Sequence, residues 1–142
     1  MMSWLLIAPL ALVAVAGLAM LLLDAFAKER TELGFVASVA LLSASVISGV
    51  ALAKGVTADA LPEAVRLYLG VDPIGLFSDV VVAGSAGLVS LIAGGYLREH
   101  DYERGELYIL LIFSTLGAMI LGRGIDLLTV TIGLETLSLG SY

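Results

Sequence analysis

Cysteine is absent from this sequence, and histidine and charged residues are scarce. Without cysteine, the chain forms no disulfide and offers no thiolate to a metal ion. A single histidine, His100, cannot by itself build a multi-histidine metal or haem site. Lys and Arg number only 7 against 13 Asp and Glu, so the net charge is −6. This acidic balance argues against a nucleic-acid partner, which requires a basic face.

What the chain has instead is apolar surface. Hydrophobic residues make up 60% of its 142 residues and the mean hydropathy is +1.07. Charged residues account for 14%, against about 25% in soluble domains. A soluble fold of this size could not bury so much apolar surface. The composition therefore predicts an all-α integral membrane protein.

The long apolar runs predict a single membrane domain of about five transmembrane helices. Residues 4–23 are expected to be a retained first span and not a signal peptide, since no Lys or Arg precedes them. Residues 62–70 within the polar segment are expected to form a short surface helix. The predicted spans are about 4–23, 33–53, 76–97, 106–122 and 125–142, with a polar loop at 54–75.

Glu135 is the deepest ionisable residue in this arrangement. If its helix begins near Ile125, Glu135 lies roughly 15 Å into a hydrocarbon core roughly 30 Å thick. A carboxyl group at that depth is costly unless it is paired, hydrated or neutral, and is by default a functional-site hypothesis. The alternative is a neutral group packed among polar neighbours, which would be the hydroxyls of Thr129, Thr131, Thr136 and Ser138.

The other polar residues suggest structural roles. Asp79, early in the third span, is expected to cap that helix or to reach interfacial water, and Asp126 is expected to cap the fifth. Arg123 is placed in the turn between the last two spans, and His100 in an exposed charged loop. Small residues at helical spacing predict close helix packing: Ser38, Ser45 and Gly49 in the second span, and Ala86, Ser90 and Gly94 in the third.

The last two spans resemble a known family. Residues 105–121 read GELYILLIFSTLGAMIL and residues 126–142 read DLLTVTIGLETLSLGSY. They are similar to the patterns GEFYxLLLFSTLGMMLL and NDLLTLxLGLELLSLPLY of subunit N of bacterial NADH-quinone oxidoreductase, respiratory complex I. Looser support comes from residues 22–26 and 72–77 and from Tyr96-Leu97.

This resemblance implies a multi-pass subunit of the cell inner membrane that helps move protons, coupled to quinone reduction elsewhere in a respiratory complex. It implies that Glu135, the glutamate of the GLE motif, is a principal proton-path residue, normally paired with a lysine on a later helix. Cofactors are expected to be absent from this chain, and NADH, flavin, iron–sulfur clusters and quinone are expected in other subunits. The expected partners are the other membrane subunits and the lipid bilayer.

Two departures from the family bear on these expectations. The resemblance covers only the N-terminal third of the family's subunit, and the partner lysine lies beyond it. All cations of this chain are assigned to loops or interfaces, so none is expected to reach Glu135. Gly140-Ser141 stands where the family has Pro-Leu and is expected to bend the helix in place of the proline.

Two alternatives remain open from the sequence. The chain could be a non-catalytic packing subunit of a membrane complex, or a subunit of a related Mrp-type antiporter or membrane-bound hydrogenase. No nucleophile with a nearby base, metal-ligand cluster or phosphate loop is visible, so an active site of its own is not predicted. Charge sets orientation only weakly. With the N-terminus outside, the inner loops hold Lys28, Arg30, Arg98 and Arg104, and the outer loops hold Lys54, Arg66 and Arg123.

Overall fold

A computed structural model describes residues 4–26, 32–57, 59, 61–70, 72–100 and 105–142. Within these ranges every regular element is a helix, which confirms the predicted all-α class. The helices are α1 (Trp4–Phe26), α2 (Leu33–Ala53), α3 (Glu63–Arg66), α4 (Pro73–Glu99), α5 (Gly105–Arg123) and α6 (Leu127–Ser141).

Helices α1, α2, α4 and α5 are each long and apolar enough to cross a membrane, with 23, 21, 27 and 19 residues. At 1.5 Å per residue, even the shortest reaches about 28 Å, close to the thickness of a hydrocarbon core. Helix α6 has 15 residues and is shorter. The four long helices make the described chain a multi-pass membrane bundle, and α6 is a shorter apolar helix packed within it.

Hydroxyl side chains bond across the contact between α2 and α4. Ser45 Oγ donates to the Val80 carbonyl at 2.9 Å, and Ser90 Oγ donates to the Gly34 carbonyl at 3.0 Å. In an apolar environment, such bonds satisfy both partners where no water is available. The predicted packing role of Ser45 and Ser90 is therefore confirmed.

Helices α5 and α6 approach each other backbone to backbone at glycines. A Cβ added at Gly133 would lie 2.8 Å from the Leu121 nitrogen, and one added at Gly140 would lie 2.5 Å from the Ser114 nitrogen. Both distances are too short for any real side chain, so these positions must lack one. The residue that replaces the family's proline, Gly140, thus permits a close helix contact.

The segment before α4 pairs with the turn between α5 and α6. Gly70 N donates to the Arg123 carbonyl at 2.7 Å, and Ile125 N donates to the Tyr68 carbonyl at 3.3 Å. Together they form an isolated antiparallel bridge between Leu69 and Gly124. The helix expected over 62–70 is accordingly only Glu63–Arg66, because the chain after it leaves the helix to make this pairing.

Candidate intramembrane carboxylate site

The position of Glu135 follows from the glycines beside it. Gly133 and Gly140 face α5, and two residues of helix turn the side-chain direction by about 200°. Glu135 therefore lies on the side of α6 opposite α5 and is exposed on the surface of the bundle. It stands eight residues after Leu127, about 12 Å along the helix.

The surroundings of Glu135 form a shallow cleft of about 380 Å³. Besides Glu135, the cleft is lined by Thr131, Leu134, Ser138, Leu139 and Tyr142. The Thr131 hydroxyl bonds to its own helix at the Leu127 carbonyl, 2.8 Å away, and the Thr136 hydroxyl bonds likewise to Ile132 at 2.8 Å. These two hydroxyls therefore donate to backbone carbonyls of their own helix and not to Glu135, as is common for threonine in helices.

No hydrogen bond or ion pair to Glu135 is found among the residues that the structure describes. The carboxylate thus faces outward from the bundle. In a membrane-spanning bundle, such a group requires a cation, water or a proton from elsewhere.

A second carboxylate, Asp79, is placed differently from the sequence-based expectation. It is fully buried and forms an ion pair with Arg123, which is only 3% exposed. The expectation that Asp79 caps α4 or reaches interfacial water is therefore wrong. The placement of Arg123 in the turn between the last two spans is wrong as well, because Arg123 is the buried last residue of α5. The cause is non-local: Asp79 in the second turn of α4 meets the last residue of α5 at the same end of the bundle.

The residue that caps α4 is Asp72. Its Oδ1 accepts a hydrogen bond from the Gly75 amide at 3.0 Å, and Pro73 occupies the first helical position. Proline is well tolerated there because its missing N–H would have no helical partner. Helix α4 consequently starts three residues before the expected residue 76, which moves Asp79 from the first turn into the second and onto the buried face.

Two further helices contribute to the Asp79–Arg123 pair. Arg123 also donates from its other terminal nitrogen to the Leu6 carbonyl of α1. The buried Ser48 hydroxyl of α2 lies close to the Asp79 carboxylate without forming a hydrogen bond of ordinary geometry. The pair therefore joins α4 and α5 directly and contacts α1 and α2.

The Asp79–Arg123 pair also changes the number of Lys and Arg residues in the loops, which determines the orientation of the chain in the membrane. Arg123 is neutralised inside the bundle, so the expected outer loops retain Lys54 and Arg66 as their cations. Arg66 forms an exposed ion pair with Asp59 at 3.6 Å. The excess of cations on the expected inner side thereby becomes larger, and the orientation remains a prediction.

Asp126 caps α6, as expected. Its Oδ1 accepts a hydrogen bond from the Thr129 amide at 3.2 Å. The bonds from Thr129 hold the pKa of the Asp126 carboxyl below its ordinary value, because they favour the charged form. The cap also ends the turn that follows Arg123.

His100 is exposed at the end of α4, and its ring stacks on Tyr96 with a centroid distance of 4.3 Å. Its Nδ1 lies 2.9 Å from the Tyr96 carbonyl. Over the described ranges, no group of three or more metal-ligating side chains comes together.

The fold and these carboxylates define a multi-pass helical membrane protein with one buried ion pair and one outward-facing glutamate on its last described helix. Sequence comparison supplies close parallels. The chain is 37% identical over 147 residues to NADH-quinone oxidoreductase subunit N 1 of Sorangium cellulosum, covering 96% of this chain and 29% of that protein. It is 32% identical over 134 residues to subunit N of Myxococcus xanthus, covering 93% and 25%.

A third relative, subunit N of Trichlorobacter lovleyi, is 30% identical over 140 residues, covering 96% of this chain and 27% of that protein. No family model matches the chain. The predicted resemblance is confirmed: along nearly its whole length, the chain is similar to the N-terminal part of NADH-quinone oxidoreductase subunit N. It spans less than a third of the length of these relatives.

Sequence reasoning identified Glu135 but missed the Asp79–Arg123 pair. A usable signal was present, because Asp79 lies near the start of one apolar span and Arg123 at the end of the next. Consecutive membrane helices run in opposite directions, so these two positions lie at the same end of the bundle. Opposite charges at such positions are candidates for an ion pair. The backbone acceptor at Leu6 carried no comparable signal.

Proposed function

We propose that this chain is the N-terminal portion of a membrane-arm subunit of NADH-quinone oxidoreductase, located in the bacterial inner membrane. In this proposal it contributes to proton translocation coupled to quinone reduction, and Glu135 is the proton-carrying carboxylate of the path. The observation that supports the role of Glu135 most directly is its outward position on α6, opposite the contact with α5.

A carboxylate in this position suits proton transfer for an electrostatic reason. Glu135 lies near the middle of α6, where an unpaired charge is costly. A cation brought close would favour the charged form, and its withdrawal would favour uptake of a proton. None of the ion pairs among the described residues involves Glu135, and the buried Arg123 is engaged by Asp79 and Leu6. We assign that cation to the remaining length that the relatives possess and this chain does not span.

The same proposal places the redox chemistry elsewhere. NADH, flavin, iron–sulfur clusters and quinone would be bound by other subunits, and this chain would contact neighbouring membrane subunits and lipid. Exposed apolar side chains cover much of α1, α4 and α6, which is typical of helices that face lipid or protein within a membrane. The similarity to subunit N of NADH-quinone oxidoreductase in several bacteria supports the assignment to this complex.

The test is Glu135→Gln in the complete subunit, assembled in its complex and reconstituted into vesicles. Loss of the carboxyl should slow proton transfer through this path by about a hundredfold or more, the scale typical of losing a proton-transfer group. Glu106→Gln is the matched control, because Glu106 is an exposed glutamate in the first turn of α5. Pumping by Glu135→Gln at the control's rate would contradict the proposal.

A packing-only subunit is the second candidate, and the close α5–α6 contact at Gly133 and Gly140 favours it. In that case Glu135→Gln would leave proton pumping unchanged. A bulky replacement of the buried Ser90, which bonds across α2 and α4, would still prevent assembly. The two candidates therefore differ in the result of the same Glu135 experiment.

A further inference from the structure

We propose that Arg123 is a positioning residue: held by Asp79 and the Leu6 carbonyl, it anchors the start of α6 and thereby sets the depth and rotation of Glu135. The functional half of this inference rests on the proposed role of Glu135. The structural half concerns the location of α6 and stands independently of any proton transfer.

The first observation is the place of Arg123 in the chain. It is the last residue of α5, and Asp126, the cap of α6, follows after only two intervening residues. Its guanidinium is buried and bonds to both Asp79 on α4 and Leu6 on α1. A side chain fixed at two points on two other helices therefore holds the end of α5 and the beginning of the turn.

The second observation concerns the backbone of the same residue. The Arg123 carbonyl accepts the Gly70 amide at 2.7 Å, and the Tyr68 carbonyl accepts the Ile125 amide at 3.3 Å. The turn is thus held on one side by the Arg123 side chain and on the other by the segment that precedes α4. No other turn between helices in the described ranges is seen to combine a buried ion pair with such a bridge.

The third observation is that α6 packs on α5, the helix that ends at Arg123. Helix α5 is the principal neighbour of α6, and the two contact each other backbone to backbone through Gly133 and Gly140. A slip of α6 by one residue along α5 would move Glu135 by about 1.5 Å and rotate it by about 100°. Misplacement of a reacting group by about 1 Å can cost on the order of a hundredfold in rate.

An ion pair suits this purpose better than an apolar contact. Replacing a buried ion pair with apolar residues often leaves stability unchanged or higher, so the pair is weak evidence for a stabilising role. A guanidinium, however, is planar, and its N–H groups point in fixed directions. It therefore forms good hydrogen bonds only with acceptors that lie in those directions. The arrangement with Asp79 and Leu6 therefore specifies one position of the turn, which apolar packing would not do.

The test uses the complete subunit in its complex and compares three variants that each carry Leu127→Cys. Leu127 is the exposed first residue of α6, beside the turn that follows Arg123, and this segment contains no cysteine. The variants are the double replacement Asp79→Leu with Arg123→Met, the conservative Arg123→Lys, and a control double replacement, Asp59→Leu with Arg66→Met. The control removes the exposed ion pair at the same end of the bundle.

Three quantities are measured: the amount of assembled complex, the rate at which a maleimide labels the introduced cysteine, and the pH profile of proton pumping. The Asp79–Arg123 double variant should assemble at the level of the parent. Its labelling rate should change by about threefold or more, since labelling follows the local position and exposure of the segment. Its pH profile should shift, whereas the control should leave both readouts unchanged.

Assembly with unchanged labelling and an unchanged pH profile would overturn the inference and leave the pair a purely stabilising one. If the double variant does not assemble, the labelling rate and pH profile of Arg123→Lys test the inference instead. Lysine keeps the positive charge but lacks the forked geometry, so both readouts should change. Failure of both variants to assemble would also show a purely stabilising pair. The labelling rate reports on α6 even if Glu135→Gln pumps normally, so failure of the proposed function is distinguishable from failure of the anchor.

Discussion

The two carboxylates Asp79 and Glu135 lie in similarly apolar helices but in opposite situations. Asp79 is fully buried and meets its counter-ion within the chain, whereas Glu135 is exposed on α6 and meets none among the described residues. Removal of a charge from water is tolerated only where a partner compensates it. The contrast shows that Asp79 forms an internal structural contact, while Glu135 on the outer side of α6 is the carboxylate to which we assign the proton path.

The largest effect is expected from breaking the internal pair. Arg123→Leu would leave Asp79 as an uncompensated charge inside the bundle, and should lower the free energy of unfolding by about 3 to 5 kcal/mol. Denaturant titration of the detergent-solubilised protein measures it. Arg66→Leu, which removes a cation from an exposed pair, should cost less than about 1 kcal/mol. An equal decrease in the free energy of unfolding in the two variants would show that the buried Arg123 pair contributes no more to stability than the exposed Arg66 pair.

A smaller effect is expected at the glycine contact that turns Glu135 outward. Gly133→Ala places a Cβ 2.8 Å from the Leu121 backbone and should destabilise the protein by about 1 to 3 kcal/mol, because the two helices must separate. Gly95→Ala is the control, since a Cβ there meets nothing within 4 Å. It should be neutral or stabilising, as alanine favours the helix over glycine. The thermal unfolding midpoints of the two variants are compared, and a drop at Gly95 matching that at Gly133 would argue against the close contact.

The smallest effect is expected at the cap of α6, and it depends on pH. The folded-state pKa of Asp126 lies below its ordinary value of 3.8, so its stabilising contribution is present above that pH and is lost as the pH falls through the folded pKa. Asp126→Ala should therefore destabilise the protein slightly at neutral pH and make acid unfolding less steep below about pH 4. Unfolding curves at neutral and acid pH test this. An identical acid limb in the variant and the parent would refute a capping role for the charged form.

Much of the fold could be predicted because each membrane helix is a continuous run of apolar residues in the sequence. Apolar runs and the charged segments between them indicated the helices, and the serines of α2 and α4 indicated close packing. Glu135 was identifiable because depth in an apolar run is also a local property. Its outward direction could have been inferred from Gly133 and Gly140, since residues seven apart lie on one helix face.

The pairing of Asp79 with Arg123 could not be read locally, because it joins residues 44 positions apart. Two errors contributed: the start of α4 was expected three residues late, and Arg123 was treated as part of a turn. The pairing of Gly70 with Arg123 is a backbone contact, and neither side chain signals it. The contacts of Arg123 with the backbone of Gly70 and Leu6 depend on how the helices assemble, whereas the opposite charges of Asp79 and Arg123 at one end of the bundle were a signal that the sequence did contain.

Infrared difference spectroscopy of the working complex tests the contrast between the two carboxylates most directly. On turnover, a carboxyl stretching band should appear that vanishes in Glu135→Gln, shifts in Glu135→Asp and persists when Asp79 and Arg123 are replaced together by Leu and Met. That result would identify Glu135 as the group that exchanges a proton and Asp79 as a fixed partner. A band that survives Glu135→Gln and disappears with Asp79 would contradict the account and reverse the two roles.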